Sequence, residues 1–284
     1  MKKVILLLVT LFASINVFAQ TSADLQKIYD TEKAFERFSS EKGINPAFVE
    51  FLAPDGVMFF PNPTNGREYW KSRPASPAFL SWNPTFIDVS SNGALGYSVG
   101  NSVYRAQGRE DANAVYGQYL SIWQQQPDGN YRAVLDVGIS HAKPEKIETE
   151  WKSPVDTGKE LNAGKSSAAD NVNTFFEMAT RDGLNKAYKS FAAEDVRALR
   201  ENQFPITGKS SLLAETKKDK SRISFAKRSL FFGAADLAYI TNSYTMTKKN
   251  NSIEKGNFVQ IWKLRGGKWV LVMDVFVPIP LENK

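Results

Sequence analysis

The chain has 284 residues, with 36 Lys and Arg against 30 Asp and Glu, a balance too mild to mark a nucleic-acid partner. It has no cysteine and one histidine, which sets aside disulfide staples, thiolate nucleophiles, a lipidated N-terminal cysteine and the usual zinc ligand sets. Stability must therefore come from packed apolar cores, for which the length allows one large domain or two ordinary ones.

Lys2 and Lys3 precede an apolar run from Val4 to Val17 that closes on Val17-Phe18-Ala19, the pattern of a signal peptide over residues 1–19 with cleavage after Ala19. The expectation is export to the periplasm or beyond. No stretch reaches the roughly 20 apolar residues that span a bilayer, so no stable membrane insertion is expected of the mature chain. Without Lys2 and Lys3 the charge balance is 34 to 30.

Next comes a helix, because Leu25, Ile28, Phe35 and Phe38 share one helical face. Gly43 stands at its end, and a second short helix follows with Asn45 as N-cap and Pro46 at the first helical position. Beyond it, β-branched and aromatic runs are separated by the tight-turn sequences Asn92-Gly93 and Pro127-Asp128-Gly129-Asn130, which predict antiparallel hairpins. Residues 143–165 are rich in Lys, Glu, Pro, Ser and Gly, with Ile147 and Trp151 the large apolar exceptions, and read as a linker. The pattern then restarts: Ala169, Val172, Phe176 and Ala179 form a helical face, Gly183 and Asn185 repeat Gly43 and Asn45, and Arg265-Gly266-Gly267-Lys268 makes the last hairpin.

This restart is a duplication with a period of about 140 residues, far longer than a solenoid repeat. Phe35, Gly43, Asn45, Ala47, Phe48, Phe51 and Asp55 reappear as Phe175, Gly183, Asn185, Ala187, Tyr188, Phe191 and Asp195, and Asp136 reappears as Asp274. Two α+β domains are expected, 22–142 and 166–280, each with N-terminal helices packed in a curved antiparallel sheet.

The stretches AFVEFLAPDGVMFFP, GREYW, LSWNPTFIDVSSNGALGYSVG and YGQYLSIWQQQPDGNYRAVLDVG of the first copy resemble the nuclear transport factor 2-like superfamily, with its SnoaL-like and ketosteroid isomerase-like members. The second copy, with FAAEDVRAL, ADLAYITNSYTM and FVQIWKLRGGKWVLVMDVF, matches more loosely. Secreted bacterial members of unassigned function look most similar. The resemblance implies a cone-shaped half-barrel with a cavity between helices and sheet, often paired through its sheet, so that the two copies form a pseudo-dimer. It also places a catalytic base just before a proline. Phe60 occupies that place before Pro61, and Arg200, with no proline after it, occupies it in the second copy.

Asp136 and Asp274 each interrupt an apolar last strand, where an ionised carboxylate needs a partner or a raised pKa. Asp136 is the candidate catalytic residue, as cavity acid or base or as anchor for a ligand hydroxyl; the alternative is a structural carboxylate tied to a Tyr, Trp or Arg of its own domain. Trp82, Tyr97, Tyr104, Tyr119, Ser121 and Trp123 are candidate ligand contacts, although core packing accounts equally for such rings. By strand alternation His141 lies opposite Asp136, at the surface or between domains. No metal site or cofactor is implied, and the partner expected is a small molecule. The leading expectation is a non-catalytic binder of a small apolar or amphipathic molecule in the first domain; the alternatives are an acid–base isomerase, lyase or hydrolase using Asp136, and an envelope scaffold without a ligand.

Overall fold

The structure, a computed structural model, describes residues 23–154, 167–227 and 229–280. The expected signal peptide and part of the expected linker lie outside these residues. In the first half, helix α1 (23–42) and α2 (Ile44–Phe51) precede β1 (Leu52–Phe59), β2 (Pro63–Asn65) and α3 (Gly66–Ser72). Four long strands follow: β3 (Phe79–Val89), β4 (Leu95–Arg105), β5 (Ala114–Gln125) and β6 (Tyr131–His141). The second half repeats the series as α4 (Ala168–Asp182), α5 (Leu184–Phe191), β7 (Ala192–Arg200), β8 (Ile206–Thr207) and α6 (Lys209–Thr216). It ends in β9 (Arg222–Phe225), β10 (Leu230–Ala234), β11 (Leu237–Thr247), β12 (Ile253–Arg265) and β13 (Lys268–Pro278).

The sheet orders are β2-β1-β6-β5-β4-β3 and β10-β11-β12-β13-β7-β8, with β9 also on β11. Both sheets are mixed, which corrects the all-antiparallel expectation. The hairpins are antiparallel, but β1 runs parallel to β6, as β7 does to β13, because each of these strands is separated from its neighbour by a long excursion that returns in the same direction. The Gly266-Gly267 turn has φ of 55° and 76°, the left-handed pair that a two-residue hairpin requires.

Helix punctuation differs from the sequence reading in one respect. Gly43 and Gly183, with φ of 93° and 92°, are themselves the N-caps of α2 and α5, so Asn45 and Asn185 fall inside the first turn. Their side chains instead tie each helix to the next: Asn45 Nδ2 donates to Arg73 O and Pro74 O, and Asn185 Nδ2 to Leu213 O. On α4 the buried face is Ala168, Val172, Phe175 and Ala179, so Phe175, the counterpart of Phe35, points inward where Phe176 was expected. That helix opens with a capping box, Ser167 Oγ accepting from Asp170 N and Asp170 Oδ2 from Ser167 N. Ser167→Ala is expected to cost about 1 kcal/mol, read as a lower urea midpoint at unchanged m; an unchanged midpoint would mean the cap contributes nothing.

Each half wraps one face of its sheet around its helices, and the strand alternation sends the other face away from them. In the first half Ile28, Phe35, Phe48, Trp82, Tyr119 and Trp123 form the inner core; in the second, Val172, Phe175, Tyr188, Phe258 and Trp262 do. A third apolar cluster contains outer-face residues of both sheets, among them Tyr97, Leu120 and Val137 with Tyr239, Val259 and Val275. Beside it Lys263 Nζ donates to Asp88 Oδ1 at 3.2 Å and Val89 O at 2.7 Å, and lies 3.3 Å from Asp236 Oδ2. The first part of the expected linker is not free: Trp151 stacks on Tyr29 at 5.3 Å, and Lys152 pairs with the outer edge of β3 through Thr85 O and Ile87 N.

Candidate functional site

Inside the first cone, alternation along β4, β5 and β6 brings Ser98, Tyr119, Ser121, Trp123 and Asp136 to one face. Helix α1 lays Glu32 against them, fully buried. Its carboxylate accepts from Trp82 Nε1 at 2.5 Å, from Trp123 Nε1 at 3.2 Å and from the Ser98 hydroxyl in a short contact. Asp136, also buried, accepts from Ser121 Oγ at 2.6 Å, its cross-strand partner. Among the described residues neither carboxylate is paired with a cation. The Tyr119 hydroxyl is buried next to Glu32 and Ser98, with no hydrogen bond of good geometry among the described residues.

Burial without a counterion raises both carboxyl groups. Glu32 is pushed up to about 7, by desolvation first and also by the charge of Asp136, against the lowering effect of its three donors. Asp136 is pushed up to about 6 by desolvation, with Ser121 opposing. Tyr119 is held well above its ordinary value, by burial and then by the charges of Glu32 and Asp136. Two carboxyl groups with raised pKa values thus lie buried among aromatic side chains, the setting in which a carboxyl group can serve as acid or base near neutral pH.

The second cone carries the same strand frame with different chemistry. Asp274, fully buried, is ion-paired with Arg200, and accepts from Tyr188 OH at 2.7 Å and from its cross-strand partner Gln260 Nε2 at 2.8 Å. The two terminal nitrogens of Arg200 also donate to Leu199 O, Asp274 O and the Tyr188 hydroxyl. At the places of Glu32, Ser98 and Tyr119 stand Val172, Ile240 and Phe258, all buried apolar residues. The second-copy carboxylate is therefore a satisfied structural group, as the sequence alternative proposed for such residues, whereas Asp136 has only a hydroxyl.

Of the residues singled out from sequence, Trp82, Tyr119, Ser121, Trp123 and Asp136 come together in the cone. Tyr97 and Tyr104 do not: alternation puts Tyr97 on the outer face with Leu95 and Val99, and Tyr104 lies toward the end of β4, 40% exposed. His141 packs against Phe204 of the second half, ring centroids 4.9 Å apart, on the side away from Asp136. Phe60 stacks on Tyr69 at 3.7 Å and supplies no base. Glu32 was missed, although its signal was present: it interrupts the apolar stripe of α1 between Ile28 and Phe35, and Val172 fills its place in the second copy. A cavity of about 440 Å³ opens at the mouth of the second cone, with Ile206, Met246, Pro278 and Arg200 in its lining.

Among the described residues no helix is long and apolar enough to cross a membrane and no group of acidic or histidine side chains could hold a metal. No family model and no curated protein matches the sequence. Among solved structures, the chain is similar to an NTF2-like protein of unknown function from Shewanella oneidensis MR-1, at 19% identity over 39% of this chain and 98% of that one, TM-score 0.33. It is similar to an NTF2-like protein from Cytophaga hutchinsonii, at 12% identity over 40% of this chain and 100% of that one, TM-score 0.35. It is also similar to a protein of unknown function with a cystatin-like fold from Nostoc punctiforme, at 16% identity over 40% and 90%, TM-score 0.33. Each half of the chain has one order of elements, helices first and then a mixed sheet.

Proposed function

We propose that this is an exported protein of two cones paired as a pseudo-dimer, and that its first cone binds a small apolar or amphipathic molecule by a hydroxyl or similar polar end. The observation that carries the reading is the contrast between the copies. The first cone keeps Glu32, Asp136 and the Tyr119 hydroxyl buried without a cation among them, an arrangement that costs stability and that packing alone does not require. The second copy removes that cost with Arg200, Tyr188 and Gln260, so the fold does not need an unneutralised pair. A ligand polar group donating to Asp136 and accepting from Tyr119 would satisfy both. The apolar cluster built from both sheets supports the pairing, and Val17-Phe18-Ala19 supports export.

Binding is tested by a thermal-shift screen of small apolar acids, sterols and polyketide-like compounds. Asp136→Asn and Glu32→Gln are expected to abolish or reverse the ranking of any hit, while Asp274→Asn lowers the melting temperature and leaves the ligand-induced shift intact. Equal ligand shifts in all variants would remove the first-cone site. A second reading, acid–base isomerase, lyase or hydrolase chemistry, is favoured by the two carboxyl groups raised to about 7 and about 6, the range in which general acids and bases work best. Turnover of a hit compound with a pH profile that Glu32→Gln displaces would establish it.

A further inference from the structure

The cavity at the mouth of the second cone is not part of the first-cone site. It measures about 440 Å³, within the size range of small-molecule sites. Its lining is mixed: Ile206, Met246 and Pro278 offer apolar surface, while Leu212 and Phe276 are buried. Its rim is charged, and the partners of those charges decide what the cavity can hold.

Two cations line it, and both are already committed. Arg200 is ion-paired with the buried Asp274, and its two terminal nitrogens also donate to backbone carbonyls and to Tyr188. Lys248 Nζ lies 2.7 Å from Glu254 Oε2, and the other Glu254 oxygen accepts from Tyr244 OH at 2.8 Å. That leaves Glu201, Glu215 and Asp219 lining the cavity without an ion pair among the described residues. Glu201 is held in place from the first half, where Ser140 donates to it through its N–H at 3.1 Å and through its hydroxyl. Asp219 accepts from Ser221 N at 2.8 Å. Lys217, Lys218 and Lys220 flank Asp219 in sequence but do not line the cavity. An anionic head would meet three carboxylates and an arginine with no free charge to offer, whereas a cationic head gains from all three.

We infer that the second cone binds an amine-bearing amphipathic molecule, its apolar part against Ile206, Met246 and Pro278 and its ammonium at the rim between Glu201, Glu215 and Asp219. Because an ion pair at a solvent-facing rim is screened by salt, the apolar surface provides affinity and the carboxylates provide selection by charge.

The test uses the full mature chain and three probes of equal tail length: n-octylamine, octanoate and 1-octanol, followed by calorimetry at low and high salt. n-Octylamine is expected to bind tightest and octanoate weakest. Glu215→Gln combined with Asp219→Asn, both at exposed positions, is expected to weaken n-octylamine about tenfold, the effect of two rim charge contacts, and to leave 1-octanol unchanged. Asp136→Asn is expected to leave n-octylamine binding unchanged, which separates this site from the first cone. Binding of all three probes with equal affinity, preference for octanoate, or no n-octylamine binding to the wild type would each overturn the inference without touching the first-cone reading. Loss of n-octylamine binding in Asp136→Asn would place the amine in the first cone and overturn it as well.

Discussion

Replacing Arg200 with alanine is expected to destabilise the protein by about 3 to 5 kcal/mol, the cost of removing one partner of a buried ion pair. Asp274 is fully buried and Arg200 is the only cation paired with it among the described residues. Without the guanidinium, Tyr188 OH and Gln260 Nε2 remain as donors, too few to replace a full counter-charge. The Arg200 guanidinium also lies 4.4 Å from the centre of the Phe276 ring, so its stem and plane are lost from the core together with its charge. Combining Arg200→Ala with Asp274→Asn should recover part of the loss, because the orphan charge goes too. Chemical denaturation followed by tryptophan fluorescence checks this, and a loss below about 1 kcal/mol for the single variant would mean that water reaches Asp274 and that the ion pair is not structural. Asp136→Asn, by contrast, deletes a charge that has no counterion, and at pH 8 it should be neutral or stabilising.

The sequence carried the architecture because its strongest signals are local and doubled. The Gly43 and Gly183 helix breaks, the hairpin turns and the shared Leu-x-Tyr and aromatic strand patterns each appear twice, so an error in one copy is corrected by the other. What it did not carry depends on register and long-range pairing. The parallel joining of β1 to β6 leaves no turn signature, since the two strands are not consecutive. The outward direction of Tyr97 follows from strand alternation once Ser98 and Ser121 are known to face inward, yet an isolated tyrosine among apolar residues fits either face. The counterion of Asp274 comes from β7, 74 positions earlier, and nothing near Asp274 in the chain announces it. Glu32 was legible by the helical pattern and by its replacement with Val172, but only when the two copies are compared position by position along α1.

The Glu32 and Asp136 pair makes stability depend on pH in a defined direction. Both groups have folded-state pKa values above their ordinary ones, about 7 against 4.5 for Glu32 and about 6 against 3.8 for Asp136. The native state therefore holds these protons more tightly than the unfolded chain does. Their contribution is fully present below the ordinary carboxylate range and is lost as pH rises through about 6 and 7. For Glu32 alone the loss is about 3 kcal/mol, from 1.4 kcal/mol per pKa unit; the Asp136 loss is similar in size but does not simply add, because each charge raises the other's cost. Asp24 and Asp88 are also raised by burial and slope the same way, so the informative quantity is a difference between variants. Glu32→Gln keeps an acceptor for Trp82 and has no charge to desolvate. It should leave stability almost unchanged at pH 4 and raise it by up to about 3 kcal/mol at pH 8. Denaturation of both proteins across that range measures the difference at each pH. A difference that is the same at pH 4 and pH 8 would mean that Glu32 titrates alike in the folded and unfolded chain, and that the first cone is open to water around it.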